Sequence, residues 1–227
     1  MDPHTLTSLN AARRERVAAV LVTNLGDGRD RVVREGEDVP GRLGEAIAAR
    51  LASGKAGTET IDGAEFFLNP HLPAARVVLI GAVHISQALA PMARACDLDV
   101  LVIDPRTAFA TPERFAGTEL IAEWPDEALA EHPLDRHTAL AALTHDPKID
   151  DGPLLAALEA GCHYVGALGS RRTHGARVER LAERGASRDD LARIEAPIGL
   201  DIGAASPAEI AVAVLGSVIR SRRRPAS

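Results

Sequence analysis

Four short apolar runs, three of them leading towards a helical pattern and one into a Pro-containing loop, constrain this chain more than anything else in it. They are VVLIG at 77–81, VLVI at 100–103, TALAALT at 138–144 and YVGA at 164–167. A strand that is apolar without alternation must be covered on both faces, as in a parallel sheet. The intervening segments have helical spacing. Ile85, Leu89, Met92 and Ala93 share one face between His84 and Ala95; residues 153–160 and 173–184 form two more helices, the latter with Arg177, Val178 and Leu181 on adjacent turns. Alternating strands and helices joined by right-handed crossovers predict an α/β fold. The expectation is a Rossmann-like doubly wound parallel sheet over 74–227, with strand order 3-2-1-4-5 and a short sixth strand near Ile198–Ile202. A short strand at Glu119–Trp124, a Pro-initiated helix at Pro125–Glu131, a helical turn opened by Ser187 and a last helix at Pro207–Arg220, capped by Ser206, complete it.

Residues 1–73 read differently, as a small α+β N-terminal domain. Strands are predicted at Val17–Val22 and Arg31–Arg34, around the turn residues Gly26, Asp27 and Gly28. A helix at Leu43–Ala52 stops at Gly54. Thr58–Ile61 and Glu65–Leu68 pair as a hairpin across Asp62-Gly63, and Asn69–Pro73 is a linker. No catalytic constellation is visible in this part.

Composition excludes several functions. Aromatic residues are only 3%, which leaves no stacking platform for single-stranded nucleic acid, and the formal net charge of −6 opposes binding to a polyanion. No run approaches the length needed to cross a membrane, and MDPHTLTSLNAARRERV lacks the apolar stretch of a secretory signal. Cys96 and Cys162 have no metal-ligand spacing and read as reduced core thiols of a cytoplasmic protein. The SRRRPAS end, with Arg220, Arg222, Arg223 and Arg224 in and before it, reads as a solvated tail.

Open α/β sheets bind ligands at the carboxyl ends of their strands. Those ends are Gly81 to His84, Asp104 to Arg106, Thr144-His145-Asp146 and Gly166 to Thr173, with the loop Gly199 to Gly203, including Asp201, closing the crevice. The segment YVGALGSRRT is the most informative. It places Gly169 and Ser170 at a turn and Arg171, Arg172 and Thr173 at a helix N-terminus, where unpaired N–H groups and two guanidiniums suit a phosphate or carboxylate. The alternative is a turn whose arginines pair with surface acids or cap a neighbouring helix.

Other chemistry is less well supported by the residues. Of the dinucleotide fingerprint only Gly81 is present; Val83 and Ser86 stand where glycines are needed, so NAD(P) is disfavoured. Asp104 does lie about twenty positions further on, where a ribose-binding acid would be. His84, Asp104, His145 and Asp146 can be combined into a metal site, but their spacing matches no ligand motif and none is assigned. His145 and Asp146 equally fit a strand-end turn bonded to local backbone. Ser170 lacks the G-x-S-x-G elbow of a hydrolase.

Taken in order, the blocks VVLIGAVHISQAL, VLVIDPR, FATPERF, LTHDPKIDD, YVGALGSRRTHGARVERL and APIGLDIGAASPAEIAVAVL resemble the XdhC/CoxI family of accessory proteins that mature bacterial molybdenum hydroxylases. The resemblance covers about 77–220. It implies a C-terminal Rossmann-like domain that binds the molybdenum cofactor (molybdopterin), supports its sulfuration and delivers it to an apo-enzyme such as xanthine dehydrogenase or carbon monoxide dehydrogenase. Two departures stand out. Val83 interrupts the G-x-G-H turn of many members, although His84 remains. The N-terminal stretch has LGDGRD and GRLGE in place of a GSSPR-like block and a cysteine-bearing GGGC-type block.

Joined to the residue-level reading, the resemblance implies a non-catalytic carrier. The N–H groups at Gly169 and Ser170, with Arg171 or Arg172, would take the phosphate. Asp104, Thr144, His145 and Asp146 would meet the pterin's polar edge, with His84 and His145 towards its reactive end. Gly81, Arg106, Gly166, Thr173 and Asp201 complete the candidate set. The implied partners are the apo-hydroxylase, a sulfur donor and a second copy in a homodimer. Two competing functions remain open at this point: an NAD(P)-dependent oxidoreductase on the same frame, and a non-catalytic interaction protein docking through its N-terminal domain.

Overall fold

The computed structural model describes residues 3–223. They form two compact units that divide between Ala74 and Ala75.

The first unit is a four-stranded antiparallel sheet flanked by two helices. Its elements are α1 (Pro3–Arg14), β1 (Ala19–Asn24), β2 (Asp30–Arg34), α2 (Gly41–Ser53), β3 (Gly57–Ile61) and β4 (Ala64–His71), with strand order β2-β1-β4-β3. Helix α1 escapes the hydrophobic pattern because it buries only Thr5, Leu9 and Ala12. Asp62 and Gly63 both have positive φ (51° and 82°), the geometry of a two-residue turn that matches strand twist. The first three residues of the expected linker are instead strand, and only Leu72 and Pro73 of it lie beyond β4: Asn69, Pro70 and His71 pair with Leu21, Val20 and Ala19. Pairing with β3 ends at Leu68, so beyond it β4 has one neighbour and a proline is accommodated. Helix α2 packs Ile47 on Val20, Val22, Val33 and Leu68, while α1 packs Leu9 and Ala12 on Ala19.

The second unit carries β5 (Arg76–Ile80), α3 (His84–Ala95), β6 (Asp99–Ile103), β7 (Glu119–Ile121), α4 (Pro125–Glu131), β8 (Thr138–Ala142), α5 (Pro147–Glu159), β9 (Tyr164–Ala167), α6 (Arg171–Glu183), α7 (Arg188–Ala192), β10 (Ile194–Glu195) and α8 (Pro207–Arg223). The sheet runs β10-β9-β8-β5-β6-β7, all parallel. This is the doubly wound order 3-2-1-4-5-6 counted from β5. The sixth strand lies at Ile194–Glu195, ahead of its expected place, because Pro197 has no N–H with which to extend the ladder. Alternate residues serve opposite faces. Val77, Leu79, Val100 and Val102 meet Leu89 and Val214 on one side; Val78, Ile80, Leu101 and Ile103 share the other with Leu154 and Leu181.

Two helices start earlier than their patterns predicted. Helix α5 begins at Pro147, with Asp146 accepting the Lys148 N–H at 3.0 Å; Pro153 is internal, not the first residue. Helix α6 begins at Arg171, with Ser170 as its cap. Cys162 is buried, and burial pushes its thiol up to about 12. Cys96, expected in the core, is exposed because it caps α3 beyond its last buried residue, Ala93. Arg224 lies outside the described residues. Among the described residues no helix is long and apolar enough to cross a membrane.

Candidate functional site

The carboxyl end of the sheet is built around the turn after β5. Gly81 has φ 113°, and a Cβ there would lie 2.7 Å from Thr144 Cγ2. Only glycine lets the β5 turn and the β8 loop approach this closely. Ser86, read as a lost glycine, has a role of its own: its buried hydroxyl donates to the Gly81 carbonyl at 2.5 Å.

Asp104 turns inward. Its side chain is fully buried; Oδ2 accepts the Ala82 N–H at 2.7 Å and Arg106 Nη2 at 2.8 Å, and Oδ1 accepts Arg106 N–H and Nε, each at 2.9 Å. Burial works to raise this carboxyl, but the Arg106 guanidinium and the two backbone N–H bonds hold it below its ordinary value. Asp104 therefore ties the end of β6 to the Gly81 turn. The expectation that it offers oxygens to a ribose or pterin is corrected: all of its acceptor capacity is used within the turn. Arg106 in turn stacks over Phe109, 4.7 Å from the ring centre, and feels the charges of Asp146 and Asp150 across the crevice.

The Thr144-His145-Asp146 loop is organised by a residue that sequence reading missed, Asp150. Thr144 Oγ1 donates to Asp150 Oδ1 at 2.7 Å, the Thr144 N–H to the same oxygen at 3.4 Å, and the His145 N–H to Oδ2 at 3.0 Å. Asp146 N–H donates to Thr144 Oγ1 at 3.0 Å. Asp150 is buried, and burial pushes its carboxyl up to about 6, against the pull of Thr144, Arg177 and His145. Of the two residues in the local-turn alternative, His145 and Asp146, it describes Asp146, whose carboxylate accepts the Lys148 N–H. The His145 backbone is left-handed at φ 64° and its side chain is exposed.

Arg171 and Arg172 are both exposed at the start of α6, but they are not equivalent. Arg171 borders a cavity of about 370 Å³ with Leu168, Ile198, Ile210, Ala213 and the whole of Pro197–Ala204, including Asp201; Arg172 does not line it. Ser170 Oγ accepts the Thr173 N–H at 3.2 Å and lies 3.0 Å from Thr173 Oγ1. The cavity wall is pinned by Glu195, a second residue missed in the sequence: Oε1 accepts Tyr164 Oη at 2.9 Å and the Gly199 N–H at 2.8 Å, and Oε2 accepts Arg220 at 2.8 Å. Gly199 has φ 89°, and a Cβ would meet the α8 backbone at 2.8 Å.

The remaining candidates separate. Gly166 is a buried strand residue, crowded by Tyr164 and Ile198. His84 lies on a different depression, about 330 Å³, with Val83, Ala108, Phe109 and Arg114. Among the described residues, no group of three or more His, Cys, Asp and Glu is arranged to hold a metal ion. Arg177 reads in the sequence only as a helix residue, yet it is 2% exposed and donates Nη2 to the Leu168 carbonyl at 2.9 Å. A charged residue on a helix face gives no sequence signal of such burial.

This geometry sits on a domain with known relatives. The profile of the XdhC Rossmann domain matches residues 77–218. The chain belongs to the XdhC family. It is 32% identical over 155 residues to a probable xanthine dehydrogenase component of Bacillus subtilis, covering 68% of this chain and 45% of that protein. It is 32% identical over 150 residues to the molybdenum cofactor insertion chaperone PaoD of Escherichia coli, covering 66% and 41%. This chain thus spans less than half the length of either relative. A crystal structure described as a xanthine dehydrogenase from Bacillus halodurans shares the fold, with TM-score 0.63, 21% identity and coverage of 99% of this chain and 64% of that one.

Proposed function

We propose that this chain binds the molybdenum cofactor as cargo, supports its sulfuration and carries it to a molybdenum hydroxylase such as xanthine dehydrogenase or carbon monoxide dehydrogenase, without turnover of its own. One observation carries the reading: Arg171, the first residue of α6, borders the 370 Å³ cavity at the carboxyl end of the sheet. Molybdopterin joins a phosphate to a fused polar ring system. A helix N-terminus presents orphan N–H groups and a partial positive charge, and Ser170 caps only the Thr173 N–H. Arg171 adds a charge-assisted donor for the phosphate. Leu168, Ile198 and Ile210 offer an apolar wall to the ring faces, with Asp201 and the loop backbone for its polar edge. The name of the PaoD relative, an insertion chaperone, supports the same reading.

The nicotinamide alternative loses its best residue, since the Asp104 carboxylate is consumed by Arg106 and Ala82. A cytoplasmic location, a homodimer and a separate sulfur donor belong to the proposal. The test is cofactor retention, read as the fluorescent pterin released by oxidation. One charge-assisted bond is worth about 1.5–3 kcal/mol, so Arg171→Ala lowers retention about tenfold or more, and adding Arg172→Ala changes it little further. Wild-type retention in a folded Arg171→Ala/Arg172→Ala variant overturns the assignment.

A further inference from the structure

Two buried charges lie beneath the strand-end loops, and each holds a different one. Asp150, in the first turn of α5, is 1% exposed. It gathers the Thr144 hydroxyl and the Thr144 and His145 N–H groups, fixing the loop after β8. Arg177, on the second turn of α6, is 2% exposed and runs back towards the start of its helix. It donates to the carbonyl of Leu168, fixing the loop after β9 immediately ahead of Gly169. The two charges attract one another. Arg177 Nε and Nη1 are buried and have no hydrogen-bond partner among the described residues, so its charge is compensated chiefly through space. A guanidinium left this way is expensive unless a carboxylate remains close.

Other charged groups surround the pair. Arg106, in the loop after β6, feels the charge of Asp150 through space. Asp151, beside Asp150, is bound by Arg180 at 2.8 Å, and both act on Arg177. His174, one turn before Arg177, is held below its ordinary value by burial and then by Arg177. Asp146 and His145 border the loop itself.

We propose that Asp150 and Arg177 are positioning residues that couple the two loops, so that the charge on Asp150 sets the form of the α6 N-terminus as well as of its own loop. The consequence for the cargo rests on the site proposed above. Ionised, Asp150 accepts at both oxygens and balances Arg177; both loops are fixed. Protonated, it loses acceptor strength and leaves Arg177 with Asp151 alone, a carboxylate already engaged by Arg180, and the turn at Gly169 and Ser170 loosens. Burial places this change near pH 6, so mild acid would favour release.

The test begins without ligand, on the full chain labelled with 15N. As pH is lowered, the amides of Thr144 and His145, and those of Gly169 and Ser170, should shift with one midpoint near that of the Asp150 carboxyl carbon. The shift should vanish from both loops in Asp150→Asn and survive in His145→Gln/His174→Gln, which removes the neighbouring imidazoles. Arg177→Lys should keep the titration at Thr144 and lose it at Gly169. Flat Gly169 and Ser170 amides in the wild-type chain, while Thr144 titrates, would overturn the coupling; this outcome does not depend on any variant folding. Molybdopterin is then added. Retention should fall up to about tenfold from about pH 7 to about pH 5 in the wild type, near the limit for one linked proton, and stay level in Asp150→Asn. Coupled amides with no retention at any pH would sink the cargo assignment while sparing the coupling.

Discussion

Asp104, just after β6, and Asp150, in the first turn of α5, are both buried carboxylates, and their environments drive them in opposite directions. Asp104 has a guanidinium in bidentate contact and is lowered; Asp150 takes its bonds from neutral groups and is raised. The signs follow from linkage. A lowered carboxyl stabilises the fold above its unfolded value and loses that contribution as pH falls through its folded value. A raised one contributes stability below its unfolded value, near 3.8, and that contribution is lost as pH rises through about 6. Comparing chemical denaturation of wild type and Asp150→Asn between about pH 5 and about pH 7.5 should show a decline in the wild type that the variant lacks; parallel curves would show that Asp150 does not titrate there. Asp104→Ala strips the partner from a buried N–H and from Arg106, whose head is part-exposed and can rehydrate. The cost should be about 2–3 kcal/mol in the same measurement, with the denaturant slope unchanged.

At the scale of elements, the strand order was legible because the apolar runs are long and unbroken, and β5, β6 and β8 are the buried centre of the sheet. Helix starts were less legible. Pro153 imitates a first-turn proline, while the true one, Pro147, follows its cap Asp146 directly after the strand-end loop. The candidate site was legible where the chain itself carries it, as at Arg171, which opens α6. It was hidden where distant elements make it: Asp150, Arg177 and Glu195 are ordinary helix and strand-end charges until tertiary packing buries or pairs them. The loop from Pro197 to Ala204 illustrates the point. Glu195, Tyr164 and Arg220 come from three elements to fix it. Gly199→Ala combines a left-handed backbone with a clash against α8 and should cost about 1–3 kcal/mol. Hydrogen exchange should then rise in residues 199–204 ahead of the rest of the unit. Protection equal to wild type there would mean that the loop is held by something other than this close approach.

For the whole molecule, the proposed cargo role raises the question of which thiol could carry sulfur. The chain has two cysteines, both in the Rossmann unit, and residues 1–74 contain none. Cys162 is sealed in the core against α5 and its thiol is pushed up to about 12, so the thiolate needed for nucleophilic sulfur transfer is suppressed there. Cys96 is exposed, but it caps the far end of α3, whose opposite terminus carries His84 at the carboxyl side of the sheet. On the proposed cargo reading, this chain would hold and present the cofactor while the sulfur came from another protein. A thiol reagent should therefore label Cys96 in the native chain and Cys162 only on unfolding. Cys96→Ser/Cys162→Ser should retain the cofactor as the wild type does, and should activate an apo-hydroxylase equally well when a cysteine desulfurase is present. Loss of activation in Cys96→Ser alone, with cofactor retention intact, would place the sulfur-carrying thiol on this chain after all. It would also require Cys96 to meet the cofactor of a second copy, since the length of α3 separates it from the strand ends of its own.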